Sequence, residues 1–356
     1  MALIKLRKGI DGVDKKILEL LNKRTKLILE IGRLKKKKGM GVYVPYREKD
    51  VYNKLLKENK GPLSAKNIRA IYREIMSGAL NMEKHIRVAY LGPPFTFTHQ
   101  ASMKKFGSSV KHIPCDSITD VFIEVEKDRC DYGVVPIENS IEGAVNHTLD
   151  MFTDSDLKIF SEVYLEISHN LLTRPVKRTP RIDKIYSNPQ VFGQCRAWLK
   201  ANIPGAELIE VSSTARAAEI VSKQKNAACI GPSLVQEKYG LMALAHDIED
   251  SSHNVTRFLV IGKELQSKPT GDDRTSIVFS VKDRVGVLHD VLVPFKENKI
   301  NLTKIESRPS KAKAWEYYFF VNLEGHYENR NVKKALKALK RSCRYLKILG
   351  SYPKGD

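Results

Sequence analysis

Leu3, Leu6, Ile10, Val13, Ile17, Leu20, Arg24, Leu27, Ile31 and Leu34 follow one another in steps of three and four. That spacing keeps all of them on one stripe of an α-helix. A helix this long needs a partner along its length. The pattern predicts a first helix reaching about Lys38 and ended by Gly39 and Gly41, with the stripe as a buried seam against other helices. The one polar member of the seam is Arg24. A buried, unpaired guanidinium costs several kcal/mol, so Arg24 meets either a carboxylate on a neighbouring helix or an anionic ligand. Spacing alone leaves both open. Lys35 lies about three turns further on, nearly in line with Arg24, whereas Arg7 points about 100° away. One helix therefore does not aim all three at one spot, and a neighbouring copy would have to supply Arg7.

Two more helices are expected before residue 85. One starts near "PYREKDVYNKLLKENKG"; the other follows Pro62–Ser64 and carries Ile68, Ile71, Ile75 and Met82 at helical spacing. The whole chain has a net charge of +20 over 356 residues, and residues 1–85 hold 22 Lys and Arg against 9 Asp and Glu, a surplus of 13. This basic third has no Phe or Trp to interleave with its charges, which argues against nucleic acid and leaves acidic small molecules or a solvated surface. No apolar run approaches 18 residues, so no membrane span is expected. The charged N-terminus lacks the pattern of a signal peptide. Five scattered cysteines without a CxxC pair argue against a disulfide framework or a zinc site. A cytoplasmic protein is the expectation.

From His85 the texture changes. "IRVAYLG", "CDYGVVPI", "IDKIYS", "AELIEV", "NAACIG" and "TRFLVIG" read as short strands, mostly followed by amphipathic helices. That alternation predicts a mostly parallel sheet covered on both faces. A polar linker, 265–274, precedes a β-α-β-β-α-β pattern that reads as a split βαβ sandwich. Three segments result: 1–85 all-helical, 86–264 two α/β lobes, and 272–356 an α+β, ferredoxin-like domain. Within the middle segment several polar residues stand where strands give way to expected helices, which are places that attract anions. Ser212, Ser213 and Thr214 precede "ARAAEIV". Ser187 and Asn188 precede the helix of Gln194, and Asn139 and Ser140 precede "IEGAVNHTL". Simple helix capping is the competing explanation for each.

The string "LRKGIDGVDKKILELLNKRTKLILEIGRLK…PYRE" resembles the all-helical chorismate mutases over the full 85 residues. In that family the long first helix is exchanged between two protomers. The resemblance makes Arg7 (from the partner), Arg24 and Arg47 clamps for the two carboxylates of chorismate. It sets Lys35 and Glu83 at the ether oxygen and Glu48 at the ring hydroxyl. The reaction is an intramolecular rearrangement that requires no nucleophile, metal or cofactor; it needs a dianion held in its reactive conformer and stabilisation of charge on the ether oxygen. Val44 and Ala79 replace polar residues of some relatives. Glu83 stands where other members carry Gln, and a carboxylic acid donates a hydrogen bond only while protonated.

"VAYLGPPFTFTHQAS", "ITDVF", "CDYGVVPIENSIEGAVNHTLD", "VSSTARAA" and "NVTRFLVIG" together resemble prephenate dehydratase over residues 86–264. The implied fold is two α/β lobes around a cleft, the chain crossing back to the first lobe at the "TRF" strand. Prephenate loses its ring hydroxyl and one carboxylate as CO₂, and aromatisation drives the step. By resemblance Thr256 is the donor at the departing hydroxyl, with Thr96, Asn139, Ser140, Ser187, Gln194, Ser212, Ser213, Thr214, Arg257 and Phe258 around the substrate. Arg257 either clamps a carboxylate or braces the lobe; Glu138 is either a stronger acid or a structural pair. Pro94 and Phe95 stand where an acidic residue and Gly are usual, and Asn188 replaces a frequent His, which leaves the geometry of the Thr96 loop open.

"DRVGVLHDVL" and "INLTKIESRP" resemble the ACT regulatory domain of the dehydratase type. In that family two such domains pair and bind phenylalanine at their interface. The residues implied are Gly286, Val287, Leu288, Asn301, Leu302 and Glu306, Ser307, Arg308 and Pro309. The chain as a whole is thus similar to the bifunctional chorismate mutase–prephenate dehydratases (P-proteins), inhibited by phenylalanine and at least dimeric. A fusion to a prephenate dehydrogenase would need a GxGxxG fingerprint, which is missing. An amino-acid-sensing binding protein with degenerate catalytic halves is the alternative from another class.

Overall fold

The structure is a computed structural model that describes residues 1–38, 41–176, 180–251, 253–263, 267–282, 284–310 and 317–355. Gly39, the segment limits 264 and 356, and 265–266 of the expected linker lie outside the described residues.

Three helices open the chain: α1 (Ala2–Lys37), α2 (Pro45–Glu58) and α3 (Ala65–Glu83). Pro45 sits at the first helical turn of α2, where its missing N–H costs nothing. Ser64 caps α3 by accepting from the Asn67 amide at 3.1 Å. The C-terminal half of α1 packs on α3, and Leu21, Arg24, Ile28, Gly32 and Lys35 are among its half-buried residues. Gly32 is needed there because a Cβ would come within 2.6 Å of the Glu83 side chain. The predicted seam is therefore not buried in a single chain. Its apolar members are each 48–67% exposed, and Arg24 is the half-buried member of the stripe. Intrachain packing uses the neighbouring stripe, rotated by about one residue.

The first α/β lobe begins with β1 (Arg87–Leu91), α4 (Phe97–Phe106), β2 (Lys111–Cys115), α5 (Ile118–Glu126) and β3 (Tyr132–Asn139). It continues with β4 (Gly143–Ala144), α6 (Asn146–Asp154) and β5 (Lys158–Glu166). The second lobe holds β6 (Asn170–Thr173), β7 (Lys184–Ser187), α7 (Pro189–Gln194), α8 (Arg196–Asn202) and β8 (Glu207–Glu210). It ends with α9 (Thr214–Lys223), β9 (Ala227–Gly231), α10 (Ser233–Tyr239) and β10 (Met242–Ala245). Then β11 (Val255–Gly262) returns to the first lobe and lies between β3 and β5, as the "TRF" string implied. The sheets are mixed, not mostly parallel. In the first, of order β2-β1-β3-β11-β5, the returning strand runs antiparallel to both neighbours; in the second, of order β10-β6-β9-β7-β8, β6 is antiparallel to β9 and β10.

The last segment comprises β12 (Asp273–Ser280), α11 (Val287–Glu297), β13 (Leu302–Pro309), β14 (Tyr317–Glu324), α12 (Arg330–Ser342) and β15 (Tyr345–Pro353). Its antiparallel sheet has the order β13-β14-β12-β15. One face of this sheet shares a core with the first lobe: Val278, Phe320, Leu349 and Tyr352 pack with Phe152, Leu157 and Ile159. Glu162 of β5 has no exposed side-chain surface. It takes Arg257 at 2.8 Å, the Gly355 amide at 2.9 Å and a short contact from Arg274. The regulatory-type sheet is therefore welded to the lobe that carries β11. Among the described residues, no helix is long and apolar enough to cross a membrane.

Candidate active sites

The first three helices and α4 enclose a cavity of about 420 Å³. Arg24, Lys35, Arg47, Glu48 and Glu83 all line it, so five of the six residues expected at a mutase site meet in space. The sixth, Arg7, lies on the same straight helix about 25 Å further along and does not reach this cavity. Val44 and Ala79 also line the wall.

Among the described residues, the guanidinium group of neither Arg24 nor Arg47 has a carboxylate within ion-pair distance or a hydrogen-bond partner. Burial, with Arg47 nearby, lowers the Arg24 pKa from its ordinary value even though Tyr72 acts the other way. Lys35 Nζ donates to the Val42 carbonyl at 2.8 Å and lies 3.4 Å from Glu83 Oε1. Glu83 Oε1 is buried without a hydrogen-bond partner. Tyr43 donates to Glu48 Oε2 at 2.9 Å, and Lys105 from α4 reaches the same oxygen at 2.9 Å. Burial first, and Glu48 second, push the Tyr43 phenol well above its usual range, which keeps it a donor. The sequence reading missed Tyr43, Arg73 and Lys105, all of which line the cavity. Lys105 carries no local signal, since it is recruited from another segment.

A second cluster lies where β3 meets β11. Asn139 Nδ2 donates to Thr256 Oγ1 at 2.8 Å and to Asn254 Oδ1 at 2.7 Å, while Asn139 Oδ1 accepts from the amides of Ile141 and Glu142. Ser140 Oγ donates to the His253 carbonyl at 2.8 Å and accepts from the Val255 amide. The expected helix after Asn139 and Ser140 is instead a turn followed by β4, with α6 starting only at Asn146. The turn serves to pin Asn139 against Thr256.

From the opposite lobe, Gln190 and Gln194 of α7 each donate to Glu142 at 3.1 Å, bridging the two lobes. Gln194 Oε1 is 2.7 Å from His169 Nε2, and burial lowers the His169 pKa, so the neutral ring donates. His169 and Glu142 were not singled out in the sequence. Asn188 and Ser213 are the N-caps of α7 and α9, and the Asn188 amide donates to the Ser212 carbonyl at 3.3 Å, which ties the two helix starts together with Thr214. Ser187 is fully buried and its hydroxyl donates to the Ile230 carbonyl at 3.1 Å, a sheet contact that leaves no donor for a ligand.

Three further residues have internal partners. Of the two roles open to Arg257, the structure shows the brace: alternation along β11 turns it away from Thr256, onto Glu162, Glu138 and Tyr352. Phe258 is a core residue packed in the cluster of Tyr90, Ala101 and Val163. Glu138 is held by Lys304 at 2.9 Å and by Arg257 at 3.6 Å, the structural pairing and not the free acid. At the Thr96 loop, Phe95 takes a left-handed φ of +70°, the backbone that a Gly would adopt without strain. It is held there by its amide donating to His99 Nδ1 at 3.1 Å and by ring contacts with His99 and Tyr239. Thr96 itself caps α4.

In the last segment Gly286, with φ +77°, starts α11 beside Val287 and Leu288, at the sheet end where Ser280 pairs with Tyr318. Tyr318 also pairs with Arg308, so Glu306, Ser307 and Pro309 lie at that end, whereas Asn301 and Leu302 lie at the opposite end of edge strand β13. Arg308 pairs with Asp150 of α6 at 3.2 and 3.3 Å and so is a contact between segments in this chain. No group of three or more His, Cys, Asp or Glu able to hold a metal ion occurs among the described residues.

Comparison with known proteins bears on all three segments. The model of chorismate mutase type II matches residues 6–84, that of prephenate dehydratase residues 88–266, and that of the ACT domain residues 275–341. A bifunctional chorismate mutase/prephenate dehydratase of Aquifex aeolicus is 50% identical over 353 residues, covering 98% of this chain and 97% of the relative. One from Stutzerimonas stutzeri is 44% identical over 354 residues, covering 98% and 97%. Among solved structures, prephenate dehydratase from Arthrobacter aurescens in complex with L-Phe superposes with a TM-score of 0.69 at 33% identity, covering 76% of this chain and 90% of that one.

Proposed function

The chain belongs to the family of bifunctional chorismate mutase/prephenate dehydratases, and on that premise we propose how its residues divide the work. It rearranges chorismate to prephenate in the N-terminal helices, then decarboxylates and dehydrates prephenate to phenylpyruvate between the α/β lobes. Phenylalanine binding at the ACT domain feeds back on it.

At the mutase site the unpaired guanidinium groups of Arg24 and Arg47 receive the carboxylates of chorismate, and this lack of internal partners is the observation that carries the reading. Bidentate Arg–carboxylate pairs fix the dianion's geometry. Lys35 donates to the Val42 carbonyl and lies 3.4 Å from the Glu83 carboxylate; with three N–H groups it keeps a donor for the ether oxygen as charge grows there. Glu83 faces the same oxygen, and Glu48 holds the ring hydroxyl. Arg7 serves a second copy. The exposed seam of α1 supports this, because such a continuous apolar face calls for a partner and a second α1 laid antiparallel would carry its Arg7 toward the first cavity. The protein is accordingly a homodimer or higher homo-oligomer.

At the dehydratase site, Asn139 donates to Thr256 Oγ1 and so leaves the Thr256 proton free to donate. That proton meets the departing ring hydroxyl. As the C–O bond breaks, the electron pair from the C–CO₂⁻ bond closes the aromatic ring. An aliphatic hydroxyl is a weak acid, so Thr256 stabilises the leaving oxygen by hydrogen bonding and does not give up its proton outright. Gln194, oriented by His169, and the α9 start at Ser213 and Thr214 offer donors to a substrate carboxylate. For the effector, antiparallel pairing of two β13 edges across a two-fold axis would set Asn301 and Leu302 of one copy against the Gly286 and Glu306–Pro309 end of the other. A coupled assay from chorismate to phenylpyruvate, with and without phenylalanine, tests all of this. Thr256→Val should abolish the second step and spare the first; a chain unable to convert chorismate, or indifferent to phenylalanine, would overturn the corresponding part.

A further inference from the structure

We propose that Lys105, a residue of the dehydratase lobe, is a positioning residue of the mutase site. This rests on reading the 420 Å³ cavity as that site. Lys105 and Phe106 end α4 and form part of the cavity wall. The Lys105 ammonium lies 2.9 Å from Glu48 Oε2, and both side chains are largely shielded from solvent, at 18% and 15% exposure.

The placement is built, not incidental. Phe106 is fully buried, with its ring centroid 5.1 Å from that of Tyr43. Gly107 ends α4 at φ +72° so close to α3 that a Cβ would fall 2.5 Å from Ser77 Cβ. Beyond it, the Ser108 amide and hydroxyl donate to Glu74 Oε2 at 3.0 and 2.7 Å, and the Ser109 amide donates to Ser77 Oγ at 3.0 Å. Four successive residues of the dehydratase lobe therefore hold the end of α4 against the mutase helices, and Lys105 is the side chain they aim inward.

The chemistry explains why a cation belongs there. Glu48 is a carboxylate on the wall of a cavity whose guanidinium groups must remain free for a dianion. Left alone, it would repel the substrate or swing onto one of the arginines and neutralise the clamp. Lys105 and Tyr43 both engage Oε2, which pins the carboxylate and offsets its charge. Among the described residues no donor is bonded to Oε1, which is left for the ring hydroxyl. The fusion of the two enzymes thus has a chemical consequence: the second domain completes the first domain's active site.

Steady-state mutase kinetics of the full-length chain test this. A charge-assisted hydrogen bond is lost in Lys105→Ala, so kcat/KM for chorismate should fall roughly 10- to 100-fold, mostly through a raised KM. Lys105→Arg should recover most of it, and turnover of supplied prephenate reports that the lobe is folded. A Lys105→Ala KM within twofold of wild type would overturn the inference. So would a Lys105→Arg variant as defective as Lys105→Ala while prephenate turnover persists. If the wild-type chain failed to convert chorismate, the reading of the cavity itself would fall first.

Discussion

Glu162 is the place where the dehydratase lobe and the ACT domain depend on a single charge. Its side chain has no exposed surface, and it serves Arg257 from its own lobe and Arg274 from the ACT sheet, themselves only 7% and 13% exposed. Tyr352 closes the group by accepting from Arg257 at 3.1 Å and sharing a hydrogen bond with Ser276. Glu162→Gln keeps the shape but removes the anion, leaving two guanidinium groups buried side by side. Removing one partner of a buried ion pair costs about 3–5 kcal/mol, and the shared geometry places this site at the upper end of that range. Urea unfolding followed by circular dichroism and by hydrogen exchange of the first lobe and the ACT domain would measure it. The expected result is a destabilised lobe–ACT unit, with Arg274→Met in the same chain recovering part of the loss because one surplus cation is gone. A loss below about 1 kcal/mol, the range of an exposed pair, would refute the claim that this node welds the two domains.

Other consequences are open to measurement. Ile17→Asp places a charge in the exposed α1 seam and should convert the oligomer to smaller species by light scattering, with mutase turnover reduced at least tenfold and prephenate turnover retained; an unchanged mass would contradict the role given to the seam. Burial first, and His112 second, hold the His99 imidazole down to about 4 against an ordinary 6.5. The unfolded chain then binds the extra proton between those values, so stability is full above pH 6.5 and is lost as pH falls toward 4. The thermal midpoint of wild type relative to His99→Gln should be constant above pH 6.5 and fall between pH 6.5 and 4; a constant difference across that window would exclude the linkage.

Much of this was legible locally. Caps at Ser64, Asn188 and Ser213 come from short-range chemistry, and each helix begins where its cap residue predicts. Helical spacing put Arg24 and Lys35 nearly in line on α1, whereas Arg47, Glu48 and Glu83 were joined to them only by the resemblance to the chorismate mutases. What the sequence hid depends on contacts between distant segments. Periodicity placed an apolar stripe on α1 but could not say whether this chain or another covers it. Strand propensity gave no direction for β11, hence the mixed sheet. Arg257 reads as either a ligand clamp or a brace until strand alternation turns it away from Thr256 to the opposite face, where Glu162 and Tyr352 wait. Lys105 has no motif at all; only the docking of α4 on α3 brings it to Glu48.

The guanidinium groups of Arg24 and Arg47 stand in the helical cavity without internal partners so that a dianion can enter. Arg24→Ala, compared with wild type for chorismate turnover, tests that directly. Losing one preorganised donor to developing or bound charge should lower kcat/KM by about 10²- to 10³-fold, with conversion of supplied prephenate unchanged. An Arg24→Ala chain that rearranges chorismate within twofold of wild type would contradict the account.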